Sequence, residues 1–182
     1  LVTKVIERRT FYTILARPIT RVQFILGKYL GLGFIVTVNI TIMFAMFLAT
    51  IWLSGNVIYG SLFQAVELIL VETLLVMAVA MFFSTFSSST LSATMTIGLY
   101  VIGHLTSDLK GIAEKSHSQL TEVALTTLYY VLPNLEMLNI KGQAASGILV
   151  EMGYQGTATV YGLLYAGLLL TGACFIFTRR DF

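Results

Sequence analysis

Two carboxylates interrupt an otherwise apolar stretch of the chain and are its first candidates for chemistry. Glu67 and Glu72 fall within residues 62–86, a run long enough to cross a bilayer as a helix. If that helix begins at Leu62, Glu72 lies about 15 Å along it, close to the middle of the hydrocarbon core. Ionisable groups at that depth are rare and typically mark substrate paths or proton relays. The two acids are five positions apart, about 140° around a helix, so they do not form one site.

Two other interpretations of Glu72 stay open on the sequence. A helix that begins later than Leu62 would place both carboxylates at the membrane surface. Alternatively, Glu72 is a buried hydrogen-bond partner for a Ser, Thr or Tyr side chain.

Small hydroxyl side chains recur at every fourth position from Ser84 to Thr96, with Ser88 and Ser92 between them. On one continuous helix they would form a single face. Such stripes let membrane helices approach closely, which is the favoured interpretation. The alternative is that Ser88 and Ser92 line a polar translocation path together with Glu72.

His104 and Asp108 are one helical turn apart, and we expect them to pair at a membrane surface. Two residues do not make a metal site, so no metal is predicted. There is no Gly-x-x-x-x-Gly-Lys phosphate loop, no His-Glu-x-x-His motif and no cysteine pair, since Cys174 is the sole cysteine. The serines at 87–89 have no histidine nearby in sequence to act as a base. The chain therefore offers no catalytic residues, and we expect it not to be an enzyme.

The elements that position these residues are predicted to be membrane helices. Apolar residues make up 57% of the 182 residues and charged residues only 11%, whereas soluble domains carry about a quarter charged residues. This composition excludes a soluble monomer and leaves no basic face for nucleic acid. The fold class is all-α, a single polytopic helical transmembrane domain over residues 1–182. Its four predicted spans are residues 29–53, 62–86, 91–106 and 157–178.

Charge is concentrated at the two ends of the chain. Residues 1–28 hold six basic residues and one acid, whereas residues 29–178 hold three basic residues and seven acids. By the positive-inside rule, both ends are predicted to be cytoplasmic. Residues 107–156 then form an outer segment, with amphipathic patterns over residues 120–131 and 144–152 that predict two short helices. These helices could lie on the bilayer or re-enter it.

The basic head, residues 1–28, has helical organisation of its own. Residues 5–15 carry an apolar face, Pro18 interrupts the helix, and Thr20 with Gln23 has the spacing of a capping box. A second helix is therefore predicted to begin near Arg21 and to continue into the first span. The head could be an anchor on anionic lipid or a docking element for a cytoplasmic partner.

These residues carry a resemblance to a known family. The stretch from Glu7 to Lys28 resembles the cytoplasmic loop of type-2 ABC exporter permeases: a short coupling helix, a Pro-x-Thr-Arg step and a Gly-Lys pair at the membrane entry. The basic close at residues 177–182 is similar to the family's usual ending. Residues 130–136 resemble a subgroup that includes the permease of the nitrous-oxide-reductase copper-maturation system.

The resemblance implies that the chain corresponds to spans three to six of a six-span subunit, with two spans upstream of Leu1. It implies a permease in the plasma (bacterial inner) membrane that forms the path for export of an unidentified substrate. Its partners would be a second permease copy or paralogue and a cytoplasmic ATPase. That ATPase would hold ATP and Mg, and this chain would need no cofactor. The predicted ATPase docking residues are Glu7, Arg8, Arg9, Thr10, Phe11, Tyr12, Ile14, Leu15 and Arg17. The alternative function is a non-transporting membrane anchor or scaffold that recruits a partner through the same head.

Overall fold

A computed structural model describes residues 20–106 and 132–179, and these residues form helices joined by short turns. The predicted docking segment, Asp108 and the amphipathic pattern over residues 120–131 lie outside the described residues. The helices are α1 (Arg21–Leu53), α2 (Ser61–Ser84), α3 (Ser89–His104), α4 (Lys141–Ala145) and α5 (Met152–Arg179), with a 3-10 turn at Glu136–Leu138. The described part contains no strand, as the predicted all-α class requires.

α1 begins where the sequence predicts. The Thr20 hydroxyl accepts a hydrogen bond from the Gln23 N–H at 3.2 Å, and the Gln23 side chain accepts one from the Thr20 N–H at 3.0 Å. This reciprocal capping box satisfies backbone donors that a helix start otherwise leaves unpaired. From there α1 continues without interruption for 33 residues, about 50 Å.

The start of α1 and the end of α5 lie at the same end of the bundle, which we call the Arg21 end. The Arg21 guanidinium donates to the carbonyls of Phe177 (3.4 Å) and Thr178 (3.3 Å). The rings of Phe24 and Phe177 stack with their centroids 6.3 Å apart. The opposite end, where α2 and α5 begin, is called the Ser61 end.

α2 is the central helix of the described bundle, and α5 packs along it. Small residues of α5 recur at four-residue spacing where the two helices meet: Ala158, Gly162 and Ala166 are all buried. A Cβ added at Gly162 would lie 2.5 Å from the Val71 side chain, so only glycine allows this approach. Small residues at this spacing are the usual means by which membrane helices pack closely.

Three of the four predicted spans are helices long and apolar enough to cross a membrane, as far as the described residues go. The third, α3, is shorter: its 16 residues extend about 24 Å, against a core of roughly 30 Å. A later segment of the chain contacts its last turn. The backbone N–H of Leu135 donates to the Gly103 carbonyl at 3.0 Å, and the Leu135 side chain covers Gly103.

That segment, residues 132–151, is named the wedge. It enters the bundle from the Ser61 end and buries Pro133, Leu135 and Leu138 completely. Leu138 packs beside Gly162, which lies ten positions into α5, about 15 Å from its start. The two arrangements predicted for the outer segment, on the bilayer or re-entering it, stay predictions, because residues 107–131 lie outside the described residues.

The predicted helix over residues 144–152 is wrong in its bounds. The short helix α4 ends at Ala145, and Gly147 adopts a positive φ of 72°, a conformation that only glycine takes readily. Ring atoms of Tyr59 pack within about 3 Å of the position where a Cβ on Gly147 would lie. Met152 already belongs to α5, which thus begins five residues before the predicted span 157–178.

Candidate functional site

Glu72 is buried inside the bundle between two cations. It lies eleven positions after Ser61, about 16 Å along α2, and only 5% of its surface is exposed. Its Oε1 atom is 3.2 Å from Nε2 of His104, and its Oε2 atom is 3.4 Å from Nζ of Lys141. We call these three residues the charged cluster. A carboxylate this deeply buried is costly unless it is paired, and the Lys141 ammonium and the His104 imidazole are its partners.

Three separate elements bring the charged cluster together. Glu72 comes from the middle of α2, His104 is the last residue of α3, and Lys141 is the first residue of α4 in the wedge. His104 reaches the interior because α3 stops inside the bundle. Lys141 reaches Glu72 because the wedge dips into the bundle. The cluster therefore depends on the segment that contains Lys141, the same segment whose Leu135 contacts the last turn of α3 at Gly103.

The hydrogen bonding of His104 determines where a proton must be. Its Nδ1 atom lies 3.0 Å from the carbonyl oxygen of Tyr100, and because a carbonyl only accepts, Nδ1 carries the hydrogen. In a neutral ring, Nε2 would then present a lone pair to the Glu72 carboxylate. The two atoms are close enough for an ion pair but not aligned for a hydrogen bond.

Glu67 belongs to a different group of polar residues, nearer the Ser61 end. It is exposed and accepts hydrogen bonds from the side chains of Gln155 and Thr159 on α5. Gln64 contacts Gln155 at 2.8 Å and pairs with the backbone of Val150 at the end of the wedge. The two acids therefore have separate partners, as their angular separation on the helix predicts.

The predicted serine face is divided between two helices. Ser84 ends α2, and Ser88 caps the start of α3, where its hydroxyl accepts from the Leu91 N–H. The turn between them breaks the four-residue stripe, so its prediction as one continuous face is wrong. Ser92 is buried and donates to the Ala80 carbonyl at 3.2 Å, which joins α3 to α2. Ser84 and Ser92 also line a cavity of about 250 Å³ between α1, α2 and α3.

Lys141 is the functional candidate that the sequence analysis missed. Residues 29–178 contain only three Lys or Arg residues: Lys110, Lys115 and Lys141. A buried acid requires a counter-charge, so the partners of Glu72 could have been sought among these three lysines and His104. His104 was expected to pair with Asp108, which lies outside the described residues. Within the described ranges, no three His, Cys, Asp or Glu side chains form a group that could hold a metal.

Comparison with known proteins adds one finding. The family model described as "ABC-2 family transporter protein" matches residues 2–182, which is nearly the whole chain. The match extends to this family and does not support the narrower copper-maturation subgroup. Searches of curated proteins and of solved structures returned no match.

Proposed function

Because the chain belongs to the ABC-2 family of transporter proteins and is thus a membrane component of an ABC transporter, we propose that it exports a substrate through a path that includes the charged cluster. A separate cytoplasmic ATPase, with ATP and Mg, supplies the energy. A second copy or a paralogue completes the path, in the plasma membrane and with both ends of this chain in the cytoplasm.

One structural observation carries the mechanical part of this proposal. The proposed docking segment, residues 7–17, directly precedes α1, whose first turn is fastened to the last turn of α5 by Arg21 and Phe24. A displacement of the docking segment would therefore move the starts of α1 and α5 together. Since α5 packs along α2 and α2 holds Glu72, the displacement continues to the wedge.

Such a movement would withdraw the wedge from the bundle. It is held to α2 and α3 at the charged cluster, through Lys141 and through the Leu135 hydrogen bond to Gly103. Withdrawing the wedge separates Lys141 from Glu72 and leaves a buried carboxylate with His104 as its described counter-charge. In this proposal, ATP hydrolysis supplies the energy for that separation, and the wedge closes the path at the Ser61 end. Ser92 of α3 faces α2 and remains a candidate for the path. Ser88 instead caps the start of α3.

A pure anchor or scaffold explains these features less well. An anchor needs an apolar surface and a docking head, but it has no use for a carboxylate and two cations inside the bundle. Such groups are costly to bury and are therefore typical of a substrate or ion path.

The docking step can be tested with two matched substitutions. On the predicted helix Phe11 faces the partner and Thr13 lies on the opposite side, so Phe11→Asp and Thr13→Asp introduce the same charge at opposite faces. We expect Phe11→Asp to abolish co-purification of the ATPase, and Thr13→Asp to leave it close to the wild-type level. Undiminished association of the Phe11→Asp chain would contradict docking through this segment.

A further inference from the structure

A second potential binding site lies beside the charged cluster, on the side of α2 that faces α1. A groove of about 470 Å³ runs between α1, α2 and α4. Its walls include Met43, Phe44 and Phe47 of α1 and Leu62 and Val66 of α2, and Lys141 is the one charged residue among the described residues that line it. Sites for small molecules have this character: a mostly apolar cavity of roughly 300–1,000 Å³ with few polar groups.

Lys141 is shared between the groove and the charged cluster. Its side chain is 47% exposed, although its ammonium contacts the Glu72 carboxylate at 3.4 Å. An ammonium has three donors, so this single contact leaves capacity for a second anionic partner.

Charge and shape together select the occupant. An acidic head group can accept hydrogen bonds from the half-exposed Lys141 ammonium, and a hydrocarbon chain fills the apolar walls. The volume lies in the lower half of the usual range, which suits one chain better than two. We propose that this groove binds a single-chain amphiphile with a carboxylate head group, such as a long-chain fatty acid. The site lies near the Ser61 end, and the labelling is measured without ATP, so that the wedge stays in the described position.

Photoreactive palmitate and photoreactive hexadecanol, which share a chain length and differ in head charge, are suitable probes of the full chain in nanodiscs. We expect palmitate to label the groove-lining part of α1, residues 40–47. Lys141→Met should reduce palmitate labelling at least about tenfold, because this is the affinity lost with one hydrogen bond between charged groups. The same variant should leave hexadecanol labelling unchanged. Lys28→Met, a charge loss near the opposite end of α1, is the matched control and should change neither.

A second variant tests the groove independently of charge. Ala145 lines the groove from an exposed position, so Ala145→Trp fills it without displacing the core. Labelling by both probes should fall in this variant, while its melting temperature confirms that it is folded.

Three results would overturn the proposal. Equal labelling by the acid and the alcohol would show a chain site with no selectivity for the head group. If the probes do not label the groove and the Met43→Cys variant forms a disulfide between two copies of the chain, a second copy fills the groove. An unlabelled groove that cross-links to residues 120–131 would assign it to this chain's own segment. ATPase co-purification, measured on the same samples, reports on the proposed transport function separately, so either proposal can fail alone.

Discussion

The ammonium of Lys141 lies 3.4 Å from the carboxylate of Glu72, although 69 positions separate them along the chain. The contact joins the wedge to the middle of the central helix α2. The Lys141 side chain is 47% exposed, yet its ammonium reaches the carboxylate in the bundle interior. The pair therefore fixes the wedge in place and gives the buried carboxylate a counter-charge.

The first prediction concerns the charge balance of the cluster. His104→Phe and Lys141→Met each leave Glu72 with one cation, so either single change should have a modest effect. The double variant leaves the buried carboxylate without a described counter-charge. We expect it to lower the free energy of unfolding by about 3–5 kcal/mol, more than the sum of the two single changes. Denaturant unfolding of the purified chain in detergent measures this.

Glu72→Gln provides the control for that prediction. In the double-variant background it replaces the unpaired carboxylate with a neutral amide, so most of the lost stability should return. Glu67→Gln is the matched change at an exposed acid of the same helix and should cost less than about 1 kcal/mol. A double variant that is merely additive and is not rescued by Glu72→Gln would refute the charge balance.

The second prediction tests the close packing of α5 on α2. Gly162→Ala places a methyl group 2.5 Å from the Val71 side chain, and the helices must separate to accept it. We expect a loss of about 1–3 kcal/mol in the free energy of unfolding. Gly167→Ala, on the same helix with nothing within 4 Å, should be neutral or stabilising by roughly 0.5–1 kcal/mol. Equal effects of the two substitutions would contradict this packing.

The third prediction tests the packing contact between the wedge and α3. A Cβ at Gly103 would lie 2.9 Å from Leu135 side-chain atoms and 3.0 Å from the Pro133 carbonyl, so Gly103→Ala should push the wedge outwards. Gly98→Ala, with open space around it, is the control. In a Cys174→Ala background with Leu138→Cys as reporter, a thiol reagent should label the Gly103→Ala chain faster than the Gly98→Ala chain. The same labelling rate in both chains would mean that the wedge does not rest on Gly103.

Features governed by local sequence were predictable. The capping box at Thr20 and Gln23 follows from a three-residue spacing, and α1 begins at Arg21 as that spacing predicts. The position of Glu72 along α2 follows in the same way from the start of the apolar run at Leu62, one residue after the observed start of the helix. Such features depend on neighbours within one or two helical turns, which the sequence displays directly.

Features that depend on the path of the wedge were not predictable in the same way. The sequence pairs His104 with Asp108 one turn later, whereas in the structure its imidazole contacts Glu72 of α2. That contact depends on how α2 and α3 pack, which no spacing within α3 displays. The pairing of Lys141 with Glu72 follows from the path of the wedge, which no local pattern encodes. Counting the few cations of the central region would have identified Lys141 as a candidate partner, but not its position.

The central claim is that ATP hydrolysis in the partner subunit moves this helix bundle. Spin labels at Asn39→Cys on α1 and Gln143→Cys on the wedge, both exposed positions, report the distance between the two elements by electron–electron double resonance. Measured on the complex with its ATPase, in a Cys174→Ala background, the distance distribution should shift on addition of ATP and Mg. The Phe11→Asp chain should show no shift. An unchanged distribution while the complex hydrolyses ATP would contradict the account and favour an anchor that does not transport.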